Sequence, residues 1–173
     1  MKIMDKITIE RIAKAHPKIR ESLLQQYTEA NNLLGSGVRL RFSYVLRTPD
    51  EQHALFLQRP RVTKADSWQS IHNYGLAFDI VLLIDANNDG TFEAASWDTV
   101  KDFDKDRQSD WMEVVAYFKS KGWEHGGDWK SFPDQPHFQL KKPNGTSYNW
   151  RDLKALVDKH NIIIENNIVY PNI

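Results

Sequence analysis

At 173 residues, 40% of them apolar and 27% charged, the chain has the length and composition of one soluble domain that can bury a core. Its 23 lysines and arginines balance 23 aspartates and glutamates, so no net field draws it to nucleic acid or an anionic membrane. With no cysteine, disulfides, thiolate metal knuckles and a cysteine nucleophile are excluded, and metal chemistry falls to the histidines.

The segment from Met1 to Lys14 scatters Asp5, Lys6, Glu10 and Arg11 among its isoleucines and lacks the apolar stretch of an export signal. The longest apolar run, Ile80 to Ile84, is too short to cross a bilayer. The chain therefore reads as made in the cytoplasm without an export signal of its own. From Pro17 to Leu34, Ile19, Leu23, Tyr27, Ala30 and Leu34 recur at helical spacing, with Pro17 suited to the first helical position and Gly35 to the stop. Val38 to Leu46 alternates apolar and polar side chains as a half-buried strand does. Thr48-Pro49-Asp50-Glu51 is a capping box that opens a helix running to about Gln58, which holds Arg47 at a strand-to-helix junction. Gln58 to Gln69 carries Pro60 and no period, and reads as a loop.

Leu76 to Ile84 is apolar except for Asp79, the pattern of a buried strand; a carboxylate there is costly unless paired, hydrogen-bonded or metal-bound. Asp85 to Asp110 is an acidic insertion. Within it, Asp85, Asn87, Asp89 and Thr91 take the first, third, fifth and seventh places of a calcium loop with Gly90 sixth, but Ser96 stands twelfth where a bidentate glutamate belongs. The plainer reading is a hairpin turn at Asp89-Gly90 that needs no ion. Ser109 caps a helix with Trp111, Val114, Val115 and Phe118 on one side and Gly122 as its stop. Trp123 to Pro133, rich in glycine and tryptophan, reads as an irregular loop lining a pocket, and Pro136 to Leu140 as a short strand bearing His137. Asn149 caps a last amphipathic helix with Leu153, Leu156 and Val157, and Ile162 to Val169 forms a hairpin turned at Asn166-Asn167. No repeat or linker divides the chain, so the expectation is a single domain over 1–173, α+β in class, with a small antiparallel sheet and flanking helices.

Two stretches carry chemistry. His72 and Asp79 lie around Gly75, and Asp134 and His137 lie around Pro136. Two imidazoles and a carboxylate form a borderline-soft ligand set suited to zinc, and three protein ligands leave a fourth tetrahedral position open. Asp134, three residues before His137, is placed to take a proton from an attacking water, and Arg47 is a fixed cation for a developing oxyanion. Each has a plainer reading: His72 as a satisfied loop histidine, Asp134 as a turn residue, Arg47 as a surface partner of Asp50 or Glu51.

The segments Ser70 to Asp79 and Asp134 to His137 resemble the S-x-H-x-x-G-x-A-x-D and D/E-x-x-H motifs of the zinc peptidases that include D-alanyl-D-alanine carboxypeptidases and dipeptidases and the L-alanyl-D-glutamate endolysins of bacteriophages. The resemblance extends from the Pro17 helix through Arg47-Thr48-Pro49-Asp50-Glu51-Gln52, similar to the family's R-x-x-x-E-Q element, to the Gly-Gly-Asp-Trp at Gly126 to Trp129. It implies a hedgehog and D-Ala-D-Ala-peptidase type of fold, zinc on His72, Asp79 and His137, Asp134 as general base, Arg47 on the substrate carbonyl, and Ser70 and Trp129 in the substrate cleft. Aspartate at position 134 is more similar to the endolysin branch than to the dipeptidases, and the insertion from Asp85 to Asp110 exceeds a minimal family domain. The implied activity is cleavage of the L-alanyl-D-glutamate bond of the peptidoglycan stem peptide by a monomer made in the host cytoplasm, with bacterial lysis, an antimicrobial effect, as its outcome. Zinc is the expected cofactor, and calcium an additional one if the acidic loop binds it. The competing readings are a zinc D-Ala-D-Ala carboxypeptidase and a non-catalytic cell-wall-binding module.

Overall fold

The computed structural model describes residues 4–173, and its architecture is α+β. Helix α1 (Lys6–Ile12) is not announced by the sequence pattern; it is short, and its start is set by Asp5, whose side chain accepts from the Thr8 N–H. Helix α2 (Arg20–Leu33) begins three residues later than Pro17 implies, because Pro17 sits in the turn after His16 rather than at the first helical position. Strand β1 (Val38–Tyr44) buries every second side chain, as its alternation requires. Thr48 then opens α3 (Pro49–Leu57) with both halves of the capping box in place.

Strand β2 (Ala77–Ile84) is the sheet's centre. β1 runs antiparallel along it from Val38 opposite Ile84 to Tyr44 opposite Asp79. Its first half also pairs with β5 (His137–Leu140) and its second half with the short β3 (Ala94–Ser96), which places residues 85–93 in a hairpin loop. The stretch Trp123–His125, expected to be loop, is strand β4, paired antiparallel with β5. Its residues alternate inward and outward, and Trp123 packs edge-on against Phe78 at 4.7 Å, so core burial rather than strand length decides the conformation. Between β3 and β4 lies α4 (Asp110–Ser120), capped by Ser109 as expected. The chain ends with α5 (Trp150–Asp158) and the hairpin β6 (Ile162–Glu165) to β7 (Ile168–Pro171). Asn166 and Asn167 both adopt positive φ there, as the tight two-residue turn demands.

The core lies on one face of the sheet. Phe42, Phe78 and Phe138 stack across β1, β2 and β5, with centroids 4.2 and 5.1 Å apart, and Tyr27, Trp111 and Phe118 close over them from α2 and α4. A second cluster of Ile71, Tyr74, Leu76, Ala77 and Leu153 anchors the turn before β2. Because successive strand residues point to opposite faces, burying Phe78 and Phe138 turns Asp79 and His137 to the other side.

Candidate metal centre

Asp79 and His137 are directly opposed in the β2–β5 ladder, so their side chains project from the same face as near neighbours. The third member arrives on a single 3₁₀ turn, Ile71–Tyr74, whose Ser70 cap accepts from the His72 N–H while Asn73 reaches back to the Ser70 N–H. Gly75 ends the turn at φ +67°, and a Cβ there would stand 2.6 Å from the His16 backbone nitrogen. Only glycine allows the chain to reverse here into β2.

The ligand atoms converge. His72 Nε2 is 3.1 Å from both Asp79 Oδ1 and His137 Nδ1, and His137 Nδ1 is 3.0 Å from Asp79 Oδ1. The outward nitrogens fix the tautomers. His72 Nδ1 lies 2.8 Å from the Val45 carbonyl, which only accepts, so Nδ1 carries the proton and Nε2 turns a lone pair inward. His137 Nε2 lies 3.3 Å from Gln139 Oε1, whose amide group donates to Glu124 at 2.8 Å, so Nδ1 also presents a lone pair. Three acceptors thus face one point with no proton between them, an arrangement that a cation satisfies. Tetrahedral ligands at about 2.0–2.1 Å from zinc stand roughly 3.3 Å apart, close to the spacing found. His72 and His137 are only 2% and 7% exposed. Burial opposes ionisation of Asp79, but without a metal an extra proton on the facing imidazoles outweighs it and holds the carboxyl far below its ordinary range, the same positive charge that a cation would supply.

Around this group lies a cleft of about 780 Å³ lined by Tyr44, Arg47, Ser70, Trp129, Asp134 and Tyr148, among others. Arg47 does not pair with Asp50 or Glu51. Its Nη2 lies 3.7 Å from Asp79 Oδ2, Nη1 donates to Gln52 Oε1 at 3.0 Å, and the guanidinium packs over the Tyr44 ring at 4.6 Å. Its buried Nε–H has no acceptor among the described residues. Asp134 stands exposed on the cleft rim, where partial desolvation and the charge of Asp79 raise its pKa despite the pull of His137, His72 and Arg47. Its segment rests on the glycine pair: the Asp134 N–H donates to Gly126 O at 3.0 Å, and a Cβ on Gly126 would meet the Asp134 carbonyl at 2.6 Å. Trp129 places its ring 5.2 Å from that of His137, and Ser70 lines the cleft while serving as the cap.

Three further residues support the site beyond its candidate side chains. Gln52, wholly buried, clamps Arg47 while donating to the Ala65 carbonyl at 2.6 Å. Gln139 and Glu124 oppose each other in the β4–β5 ladder, and Glu124 gathers the Gln139 amide, the Trp129 indole N–H at 2.8 Å and the Ser147 hydroxyl. The strand period signals Gln139, which shares a face with His137; nothing in the sequence signals Glu124. In the acidic loop, Asp85, Asp89 and Glu93 bring oxygens within 4.8 Å of one another. Asp85 accepts from the N–H groups of Asp89 and Gly90, Asn87 Oδ1 accepts from Asp89 N–H, and Thr91 Oγ1 donates to Asp89. These exposed contacts close the hairpin loop on itself.

An α+β domain with an antiparallel sheet, two histidines and an aspartate at its cleft floor and a carboxylate on the rim is the framework of a metallopeptidase. Residues 63–140, which include all four of these side chains, match the family described as D-alanyl-D-alanine carboxypeptidase. The chain is 35% identical over 130 residues to the peptidoglycan L-alanyl-D-glutamate endopeptidase CwlK of Bacillus subtilis (strain 168), covering 72% of each chain. The chain belongs to this peptidase family. Its fold is similar to the crystal structure of the Serratia marcescens L-Ala D-Glu endopeptidase ChiX, with a TM-score of 0.55 at 20% identity over 79% of this chain and 87% of that one.

Proposed function

We propose that the protein is a zinc-dependent endopeptidase that cleaves the L-alanyl-D-glutamate bond of the peptidoglycan stem peptide. The observation that carries the zinc reading is the convergence of the His72, Asp79 and His137 lone pairs on one point; the name of the Bacillus relative supports the bond. Zinc held by His72, Asp79 and His137 would supply a Lewis acid for the scissile carbonyl and the attacking water. Asp134 takes the proton of that water and returns it to the departing amine, and its raised pKa suits both halves of the task. Arg47, held by Gln52 and Tyr44, offers its Nε–H to the carbonyl oxygen as negative charge develops. Trp129 and Ser70 flank the peptide in the cleft.

The aspartate at 134 supports placing the enzyme with the phage endolysins, acting on the wall and lysing the cell. Mass spectrometry of digested muropeptides tests the bond: release of the stem peptide beyond L-alanine is expected, whereas loss of a single terminal alanine would make the protein a carboxypeptidase. Asp134→Asn should abolish turnover while leaving the zinc content intact. A variant that still cleaves would remove Asp134 as the base, and a wild-type protein that binds wall fragments without cleaving them would be a binding module.

A further inference from the structure

The insertion ends in a second acidic stretch that the hydrolytic chemistry does not use. From Asp102 to Glu113 the chain reads Asp-Phe-Asp-Lys-Asp-Arg-Gln-Ser-Asp-Trp-Met-Glu. Oxygen-bearing residues occupy places one, three, five, nine and twelve of a twelve-residue loop, and the backbone carbonyl of Gln108 falls at place seven. Place twelve, where the 85–96 loop has Ser96, is Glu113 here, in the first turn of α4 as in a loop that runs into a helix. Arg107, at the place usually held by glycine, adopts φ +81°, the left-handed conformation for which glycine is otherwise selected.

The geometry agrees with the spacing. Oxygens of Asp102, Asp104 and Asp106 lie within 4.8 Å of one another, as do those of Asp104, Asp110 and Glu113, with Asp104 common to both groups. Ligands at 2.3–2.6 Å from one calcium ion are separated by up to about 5 Å. Two of these oxygens are buried and have no hydrogen-bond partner: Asp110 Oδ1, on a residue that is 0% exposed, and Glu113 Oε2. Asp110 Oδ2 does accept, from the Phe103 N–H at 2.6 Å, which leaves Oδ1 as the oxygen with no partner. A solvent-shielded carboxylate oxygen left unpaired among four other carboxylates is costly, and an unfilled ligand position explains it.

We propose that Asp102, Asp104, Asp106, the Gln108 carbonyl, Asp110 and Glu113 form a calcium site. An all-oxygen set rich in carboxylates suits a hard cation, and this many ligands suits calcium better than magnesium, which keeps most of its water. The site ties three parts of the fold together. Asp104 accepts from the Gly35 N–H just beyond α2, Phe103 packs against the main core, and Glu113 belongs to α4. Calcium at this position joins the end of α2 to the start of α4, so its effect is read as stability and does not depend on the peptidase reading.

Titrating CaCl2 into zinc-loaded, calcium-free protein tests this by calorimetry and thermal melting. One calcium per chain is expected, with Tm rising by about 5–10 °C at a calcium concentration a hundred times Kd. Glu113→Gln keeps the shape and removes one of the clashing charges, so the calcium-free variant should fold and melt no lower than the parent, yet lose the calcium response. Asp89→Asn, in the neighbouring loop, should keep it. No calcium-induced shift in the parent, a shift that survives Glu113→Gln, or one lost in Asp89→Asn would each overturn the assignment.

Discussion

Asp79 Oδ1 lies 3.0 Å from His137 Nδ1 across the β2–β5 ladder, and both atoms meet His72 Nε2 at 3.1 Å. With the imidazole protons committed to Val45 O and Gln139 Oε1, the three inward lone pairs repel one another unless a cation or an extra proton intervenes. Stripping the metal should therefore abolish hydrolysis and lower Tm, and added zinc should restore both. His137→Ala should lose stoichiometric zinc by metal analysis. A His137→Ala protein with full zinc content and full activity would sink the site.

The His137 ring is oriented at one remove. Gln139 accepts from its Nε2–H only because Glu124 fixes the Gln139 amide, at 2.8 Å, in the orientation that presents Oε1. Releasing Gln139 leaves the imidazole free to change tautomer or rotate, and such losses typically cost 10–100-fold in metal affinity. Glu124→Ala should thus weaken zinc binding by roughly that factor, measured by competition with a chromophoric chelator. Unchanged affinity would show that backbone placement of His137 suffices.

Much of this was legible in the sequence because local rules and tertiary context agree. The Thr48 capping box, the alternation of β1, the Asn166-Asn167 turn and the apolar run around Asp79 each follow from short-range chemistry, and all appear in the structure. Trp123–His125 is different: glycine and tryptophan nearby suggest a loop, while pairing with β5 and the Phe78 contact, both long-range, make it a strand. Glu124 is invisible for the same reason, since its role depends on facing Gln139 across a ladder. The Asp102–Glu113 spacing is present in the sequence, but Arg107 stands where the calcium-loop pattern expects glycine, and only the burial of Asp110 marks it out.

Gly126 explains why a glycine pair precedes the Asp134–His137 segment. A methyl group there would stand 2.6 Å from the Asp134 carbonyl and 3.0 Å from the His137 Cβ, both on backbone-anchored positions that cannot swing aside. Gly126→Ala should cost about 1–3 kcal/mol of stability, as overpacking does, and displace Asp134 and His137 together. Activity should fall even in the fraction that remains folded. Wild-type kcat with a normal Tm would show that the segment yields without consequence.

Asp5 contributes to the acid sensitivity of the fold. Its carboxylate caps α1 at Thr8, through the backbone N–H at 2.9 Å and the hydroxyl at 2.8 Å, and takes Arg41 on both oxygens at 2.7 and 3.0 Å, which staples α1 to β1. Burial alone would raise its pKa, but the hydrogen bonds from Arg41 and Thr8 outweigh it, and the folded value lies below the ordinary 3.8. A carboxyl depressed on folding stabilises fully above its unfolded pKa, and that contribution drains away as pH falls through the folded value. The protein should hold its Tm from neutral pH to about pH 5 on this account and lose stability below about pH 4. Asp5→Asn should be less stable by about 1–3 kcal/mol at neutral pH, because Arg41 loses its charged partner, and its acid limb should be shallower. Parallel acid melting curves for the two proteins would remove Asp5 as the group responsible.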